Sequence, residues 1–203
     1  MILLALETST ACGSVALVEF SGKVLFHESF VTDRSHNSLL FGPLGKALEC
    51  ARPDFVLAGT GPGSYTGTRI GLAAAHGLAV SLGVPWAGWP SITALTDLAV
   101  HVAAGDARRG SAWMALVAGG RIVRGPEIMT VDELAARLAE GTPPAFTPEA
   151  RPLNEGLVAA QPDAVRLAKA FAGQDETTRR SAATAPIEPI YLRAPFITTP
   201  NRK

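Results

Sequence analysis

Residues 1–31 read MILLALETSTACGSVALVEFSGKVLFHESFV, and the alternation of apolar runs with turn residues in this stretch decides the fold. Ile2 to Leu6 is a short apolar run that stops at Glu7-Thr8-Ser9-Thr10. Cys12-Gly13 supplies a turn, Ser14 to Phe20 a second run, Ser21-Gly22 a second turn and Lys23 to Val31 a third run. Three strands linked by tight turns are therefore predicted at the start of the chain. Ser35 to Cys50 has helical period, with Leu39, Leu40, Leu44, Ala47 and Leu48 on a wide apolar arc and Pro43 expected to kink or restart it. Phe55 to Gly59 reads as a buried strand, followed by a glycine-rich loop, a helix from Thr66 to Leu82 and a short strand over Val84–Trp89. Ser91 is a plausible N-cap for a helix reaching Val102.

A three-stranded meander followed by α crossovers builds a mixed sheet with helices packed on it. The order β-β-β-α-β-α is that of a ribonuclease-H-like half. The second half begins in the same way. Ser111–Ala118 and Arg121–Arg124 form a hairpin about Gly119-Gly120, and Thr130-Val131-Asp132-Glu133 is a capping box opening a helix to Ala139. Asn154–Ala172 reads as helical around Pro162, residues 174–186 as loose, and Ile187–Leu192 as a last extended segment. Two lobes are expected, 1–104 and a trimmed 105–203, meeting near Ala103 to Gly105.

Apolar residues make up 47% of the 203 and charged residues 18%, the balance of a folded globular protein. The formal net charge is zero and the pI about 6.9, which offers no strong field for a phosphate backbone, so direct RNA binding by this chain alone is disfavoured. Cys12 and Cys50 form no metal or redox motif, and the apolar start is too short for a membrane span or signal peptide; the expected location is the cytoplasm.

Glu7-Thr8-Ser9 stands where nucleases of this strand order hold metal with an acid, but the fourth strand ends in Ala58-Gly59-Thr60-Gly61 without a second one. In sugar kinases and actin-like ATPases the first hairpin cradles a phosphate, as Thr8, Ser9 and Gly13 could. Those enzymes also need an acidic, glycine-rich loop at the start of lobe two. Here Asp106-Ala107-Arg108-Arg109-Gly110-Ser111 puts two arginines where close backbone approach would be required. The run Gly59–Gly67 is either a tight strand-to-helix turn or an anion nest, and it is no P-loop. His27, His36, His76 and His101 have no ligand spacing, so no metal, no cofactor and no catalytic residue are assigned.

The helix after the loop is too apolar for a surface helix. From Ile70 to Leu82 its polar side chains are His76 and Ser81. It is either buried between the chain's own lobes or covered by a partner. At 100° per residue, Ile70, Ala74, Leu78 and Leu82 form the stripe expected on the chain's own sheet. Arg69, Leu72, His76, Ala79 and Val80 form the opposite one, with Leu40, Leu44 and Leu48 of the first helix expected beside it at the partner interface.

These residues carry a family likeness. Leu4–Thr10 with Ser14–Leu17, Arg34-Ser35-His36 with Leu39-Leu40, and above all Gly61-Pro62-Gly63-Ser64-Tyr65-Thr66-Gly67-Thr68-Arg69-Ile70-Gly71 resemble the TsaB (YeaZ) family. Asp106–Arg109 and Pro189-Ile190-Tyr191-Leu192-Arg193 are similar to its second-lobe signatures. The resemblance implies an α/β, actin/Hsp70-like (ASKHA) two-lobed fold. It implies a scaffold without catalysis of its own in the bacterial complex that forms threonylcarbamoyladenosine in tRNA. It also implies docking on the catalytic subunit TsaD through the first two helices of each chain, with the ATPase TsaE in the full complex. A homodimer through the same helices is compatible with this, and tRNA is met only indirectly. Pro43 lies one position later than the family's leucine-leucine-proline run, with Phe41-Gly42 intervening. The alternative is a stand-alone ATP-dependent enzyme of the same fold, or a protease, either of which needs a second phosphate loop or a nucleophile–base pair.

Overall fold

The computed structural model describes residues 1–31 and 36–193, with backbone alone for 36–38; Arg34 and Ser35 lie outside the described residues, as do the side chain of His36 and everything beyond Arg193. Strands β1 (Ile2–Glu7), β2 (Cys12–Glu19) and β3 (Val24–Val31) form the expected meander. Helix α1 (His36–Cys50) leads to β4 (Phe55–Gly59), and α2 (Tyr65–Leu82) to β5 (Trp86–Trp89). The sheet order is β3-β2-β1-β4-β5, antiparallel on the meander side and parallel from β1 to β5. Pro43 is accommodated inside α1, which runs on as one helix.

The second sheet repeats that order. Strands β6 (Val100–Arg108), β7 (Ser111–Ala118) and β8 (Arg121–Thr130) form a meander, and after helix α3 (Val131–Ala139) come the short β9 (Ala145–Thr147) and β10 (Val158–Ala159), in the order β10-β9-β6-β7-β8. Thr130 and Glu133 close the predicted capping box, the threonine hydroxyl accepting from the Glu133 amide at 3.1 Å and the carboxylate from the Thr130 amide at 2.8 Å. No helix joins β9 to β10, and that gap is where the second lobe is trimmed.

Three expectations fail for identifiable reasons. Ser91–Ala94 is a single 3₁₀ turn and the chain then enters β6, so the helix expected over Ser91–Val102 does not form. The Ser91 hydroxyl, read as an N-cap, accepts instead from the Gly61 amide at 2.9 Å. His101 faces inward from β6 and bonds the Ile92 carbonyl through Nε2 at 3.0 Å. Asn154–Ala172 divides into β10 and helix α4 (Ala164–Ala172). Residues 174–186 contain helix α5 (Glu176–Thr184), which has no buried residue and hence no apolar stripe to betray it; Asp175 caps it by accepting from the Thr178 amide at 2.8 Å.

The first sheet is buried on both faces, as its continuous apolar strands require. Leu4, Leu6, Val15, Leu17, Val56 and Ala58 face α1 and α2. The alternate residues Leu3, Ala5, Ala16, Val18, Phe55 and Leu57 face α4, which brings Leu167 and Phe171 back from the far end of the chain. Residues 187–192 form no strand but cross the glycine loop, the Ile190 amide donating to the Thr60 carbonyl at 2.8 Å. No helix among the described residues is long and apolar enough to cross a membrane.

Candidate docking face and the glycine loop behind it

Helix α2 starts at a loop gripped from below by Glu7-Thr8-Ser9. The Ser64 hydroxyl caps the helix by accepting from the Gly67 amide at 3.1 Å, and the Ser64 amide donates to the Ser9 carbonyl at 2.6 Å. The Thr8 hydroxyl donates to the Gly67 carbonyl at 2.8 Å. Glu7 is fully buried, and its Oε1 accepts from the Ser9 amide at 2.7 Å. A β-carbon on Gly59 would stand 2.0 Å from Glu7 Oε2, and one on Gly63 2.2 Å from the Ser9 carbonyl oxygen. The dense glycine therefore serves a tight turn laid directly on β1, with Gly61 alone among Gly59, Gly61, Gly63 and Gly67 in the left-handed region at φ 85°.

That arrangement commits two of the groups a phosphate would need, and leaves the buried Ser9 hydroxyl without a partner among the described residues. The Thr8 hydroxyl and Ser9 amide are both committed within the protein. Across a cleft of about 970 Å³ from Ser9 and Ser64, the loop after β6 places Arg108 and Arg109 at φ 66° and 57°, backbone values that L side chains rarely adopt. Asp106 holds that loop, accepting from the Arg108 amide at 2.6 Å and pairing with its guanidinium at 3.1 Å. Burial raises the Glu7 carboxyl above the usual carboxylate range; hydrogen bonding from Ser9 and Ser91 opposes the rise without cancelling it. Its Oε2 lies beside the Ser91 hydroxyl at the Gly59 position and makes no hydrogen bond of ordinary geometry among the described residues. Among the described residues no group of three or more His, Cys, Asp or Glu is gathered as metal ligands would be.

The outward side of α2 differs from the stripe read in the sequence. Leu72 and Ala79 are 8% and 2% exposed and pack into the chain's own core, so neither can meet a partner. Leu40 and Leu44 are also core residues, and Leu48 packs against them. Arg69, His76 and Val80 do point outward. The reason is volume. The helix meets the sheet along Gly67, Gly71, Ala75 and Ala79, all buried, and at Gly71 the approach is so close that a β-carbon would stand 2.2 Å from Thr8 Oγ1. The larger Ile70 and Leu78, expected on the sheet, are displaced to the flank.

What the helices present to solvent is an apolar groove of about 790 Å³ between α1 and α2, with Phe41 on one wall and Ile70, Ala73, Ala74, Gly77 and Leu78 on the other. Phe41 is 60% exposed, one residue off the Leu40/Leu44/Ala47 period that fills the core. That displacement was the signal available in the sequence. Tyr65 and Arg69 close one end. The guanidinium hydrogen-bonds the tyrosine hydroxyl and lies 5.0 Å from its ring centre, while Tyr191 packs on the same ring at 5.3 Å. His76 stacks on Trp86 at 5.0 Å on the other flank. Gly42, Gly45 and Gly77 are exposed on these helices, and a β-carbon at any of them would meet nothing within 4 Å.

Comparison with known proteins agrees with this architecture. The model of the family described as "TsaD: tRNA N6-adenosine threonylcarbamoyltransferase" matches residues 32–172. An uncharacterised protein of Mycobacterium leprae is 28% identical over 96% of the chain, which spans only 55% of that protein, and one of Mycobacterium tuberculosis is 29% identical over 95% of the chain and 92% of its own length. The tRNA threonylcarbamoyladenosine biosynthesis protein TsaB of Haemophilus influenzae is 32% identical over 58% of the chain and 54% of its own length. Among solved structures, a Pseudomonas aeruginosa protein described as similar to peptidase YeaZ superposes with a TM-score of 0.71 at 26% identity, covering 95% of this chain and 99% of that one. The fold is the actin/Hsp70-like α/β fold in two lobes, and the chain belongs to the TsaD family, in its TsaB (YeaZ) branch.

Proposed function

We propose that this chain serves threonylcarbamoyladenosine formation in tRNA as a scaffold without catalysis of its own, docking on the catalytic subunit TsaD through the groove between α1 and α2. The observation that carries the reading is the open glycine set. Glycine inside a helix is destabilising by about 0.5–1 kcal/mol relative to alanine. At Gly42, Gly45 and Gly77 nothing in the chain itself occupies the space a side chain would take. Bare backbone beside an apolar groove is the surface another helix needs to approach to about 8–10 Å between axes. A partner helix pair laid on α1 and α2 completes a four-helix bundle, covering Phe41 and Ile70 together.

The glycine loop supports the lack of catalysis. The Thr8 hydroxyl and Ser9 amide are bonded inward and two arginines in strained backbone stand opposite them, which argues against a phosphate cradle in the cleft. TsaE joins the assembly formed with TsaD, the same groove serves a homodimer when TsaD is absent, and tRNA is met through the partner. The test is purification of the tagged full chain from its own cell, beside an Ala73→Arg variant. TsaD should accompany the first and not the second. Loss of TsaD from both, or its retention by both, would refute the docking site.

A further inference from the structure

Beneath the glycine loop lies a buried acid. Glu7 ends β1 with no exposed surface, and its two oxygens face different partners. Oε1 holds the Ser9 amide at 2.7 Å. Oε2 occupies the space left by the missing side chain of Gly59, with the Ser91 hydroxyl beside it. Ser91 and Gly61 are bonded reciprocally, the Gly61 amide to the Ser91 hydroxyl and the Ser91 amide to the Gly61 carbonyl, both at 2.9 Å. Ser9 in turn accepts from Ser64, the cap of α2.

One carboxyl therefore touches both anchors of the turn: it is hydrogen-bonded to the Ser9 amide, whose carbonyl holds the start of α2, and its other oxygen lies beside the Ser91 hydroxyl, which holds Gly61. We propose that Glu7 is a positioning residue for partner docking: by fixing the Gly59–Ser64 turn it sets where α2 begins, and so where Tyr65, Arg69 and Ile70 present themselves to TsaD. This rests on the docking reading above. It assigns to the acid a role in assembly in place of a role in metal or phosphate chemistry. A side chain of the same shape, able to accept from Ser9 and donate toward Ser91, meets the requirement, and glutamine is such a side chain.

The experiment compares the wild-type full chain with Glu7→Gln and Glu7→Ala by titration calorimetry against purified TsaD, beside melting curves. Glu7→Gln should bind within twofold of wild type, and Glu7→Ala at least tenfold more weakly while still folded at the assay temperature. Binding of folded Glu7→Ala within twofold of wild type would overturn the proposal. If Glu7→Ala does not fold, Glu7→Asp, which draws the carboxyl back from the Gly59–Ser64 turn, carries the same comparison. If the wild type itself does not bind TsaD, the docking reading fails, and amide exchange in Glu7→Asp decides the positioning role separately. Exchange at Ser64 and Gly67 should rise at least tenfold with α3 unchanged; unaltered rates there would overturn it.

Discussion

The hydroxyl oxygen of Thr8 bonds the Gly67 carbonyl at 2.8 Å and stands 2.2 Å from where a β-carbon on Gly71 would lie. One side chain thus sets both the depth and the rotation of α2 on its sheet. Helix propensity alone would favour Gly71→Ala by about 1 kcal/mol. Overpacking against Thr8, a β-branched side chain with little freedom to move away, should outweigh this and leave a net loss of about 1–2 kcal/mol. Thr8→Ala should lose about 1 kcal/mol with its hydrogen bond. The double variant should lose less than the sum, because removing the threonine makes room for the alanine. Urea denaturation of the four proteins measures that coupling.

The proposed docking face separates cleanly from the core of the same helix. Ala73→Arg and Gly77→Leu should each weaken TsaD binding tenfold or more, with melting temperatures within about 2 °C of wild type, as for ordinary surface changes. Leu72→Asp, three residues from Arg69 but 8% exposed, should instead unfold the chain, since a buried unpaired charge is destabilising by several kcal/mol. Circular dichroism beside a pull-down distinguishes the two classes.

Stability should fall as pH rises, through Glu7. Its carboxyl in the folded chain is held above the usual range by burial, while in the unfolded chain it is ordinary. A group shifted in that sense contributes stability that is fully present below its unfolded value and lost as pH climbs through its folded value. Glu7→Gln cannot ionise, so its melting temperature should decline less from pH 5 to pH 8 than that of wild type. Parallel declines would show that the carboxyl is ionised in both states.

Asp163 joins the two ends of the chain. It caps α4, one oxygen accepting from the Val165 and Arg166 amides at 2.9 and 3.3 Å, and its other oxygen pairs with His27 of β3 at 2.7 Å. Asp163→Ala should lose about 1–2 kcal/mol, most of it the cap. Asp163→Asn keeps the cap and should lose under about 1 kcal/mol, the usual range for a partly exposed side-chain hydrogen bond. Thermal denaturation ranks the three proteins.

The meander, β4, α2 and the capping box of α3 are legible in the sequence because each has a local signature of alternation, turn residues or a reciprocal cap. The rotation of α2 is not. Its residues are apolar or small almost all round, so hydrophobicity has no direction along it, and the side that meets the sheet is chosen by the smallness of Gly67, Gly71, Ala75 and Ala79. Arg69, His76 and Val80 were placed outward by polarity and pattern, but Leu72 and Ala79 could be placed inward only by knowing how close Thr8 comes. Ser91 misled for a related reason. A serine before an apolar run is a helix cap unless a distant amide claims it, and Gly61 is thirty positions away. Phe41, the outermost wall of the groove, was visible only as an aromatic out of step with the leucines around it.

The return of α4 to the first sheet makes the order of synthesis matter. The Ala164 amide donates to the Ser14 hydroxyl at 2.9 Å, a contact spanning 150 positions, and Leu167 and Phe171 cover Leu3, Val18 and Phe55. A chain emerging from the ribosome finishes β1 to β5 long before it has the helix that roofs them. At about 5–20 residues per second, one whole side of a completed sheet stays wet and adhesive for several seconds. Release of a chain stopped after Ala104 would make that interval permanent. The first lobe holds most of the proposed docking surface, but it is not a part that can be cut free and carried elsewhere.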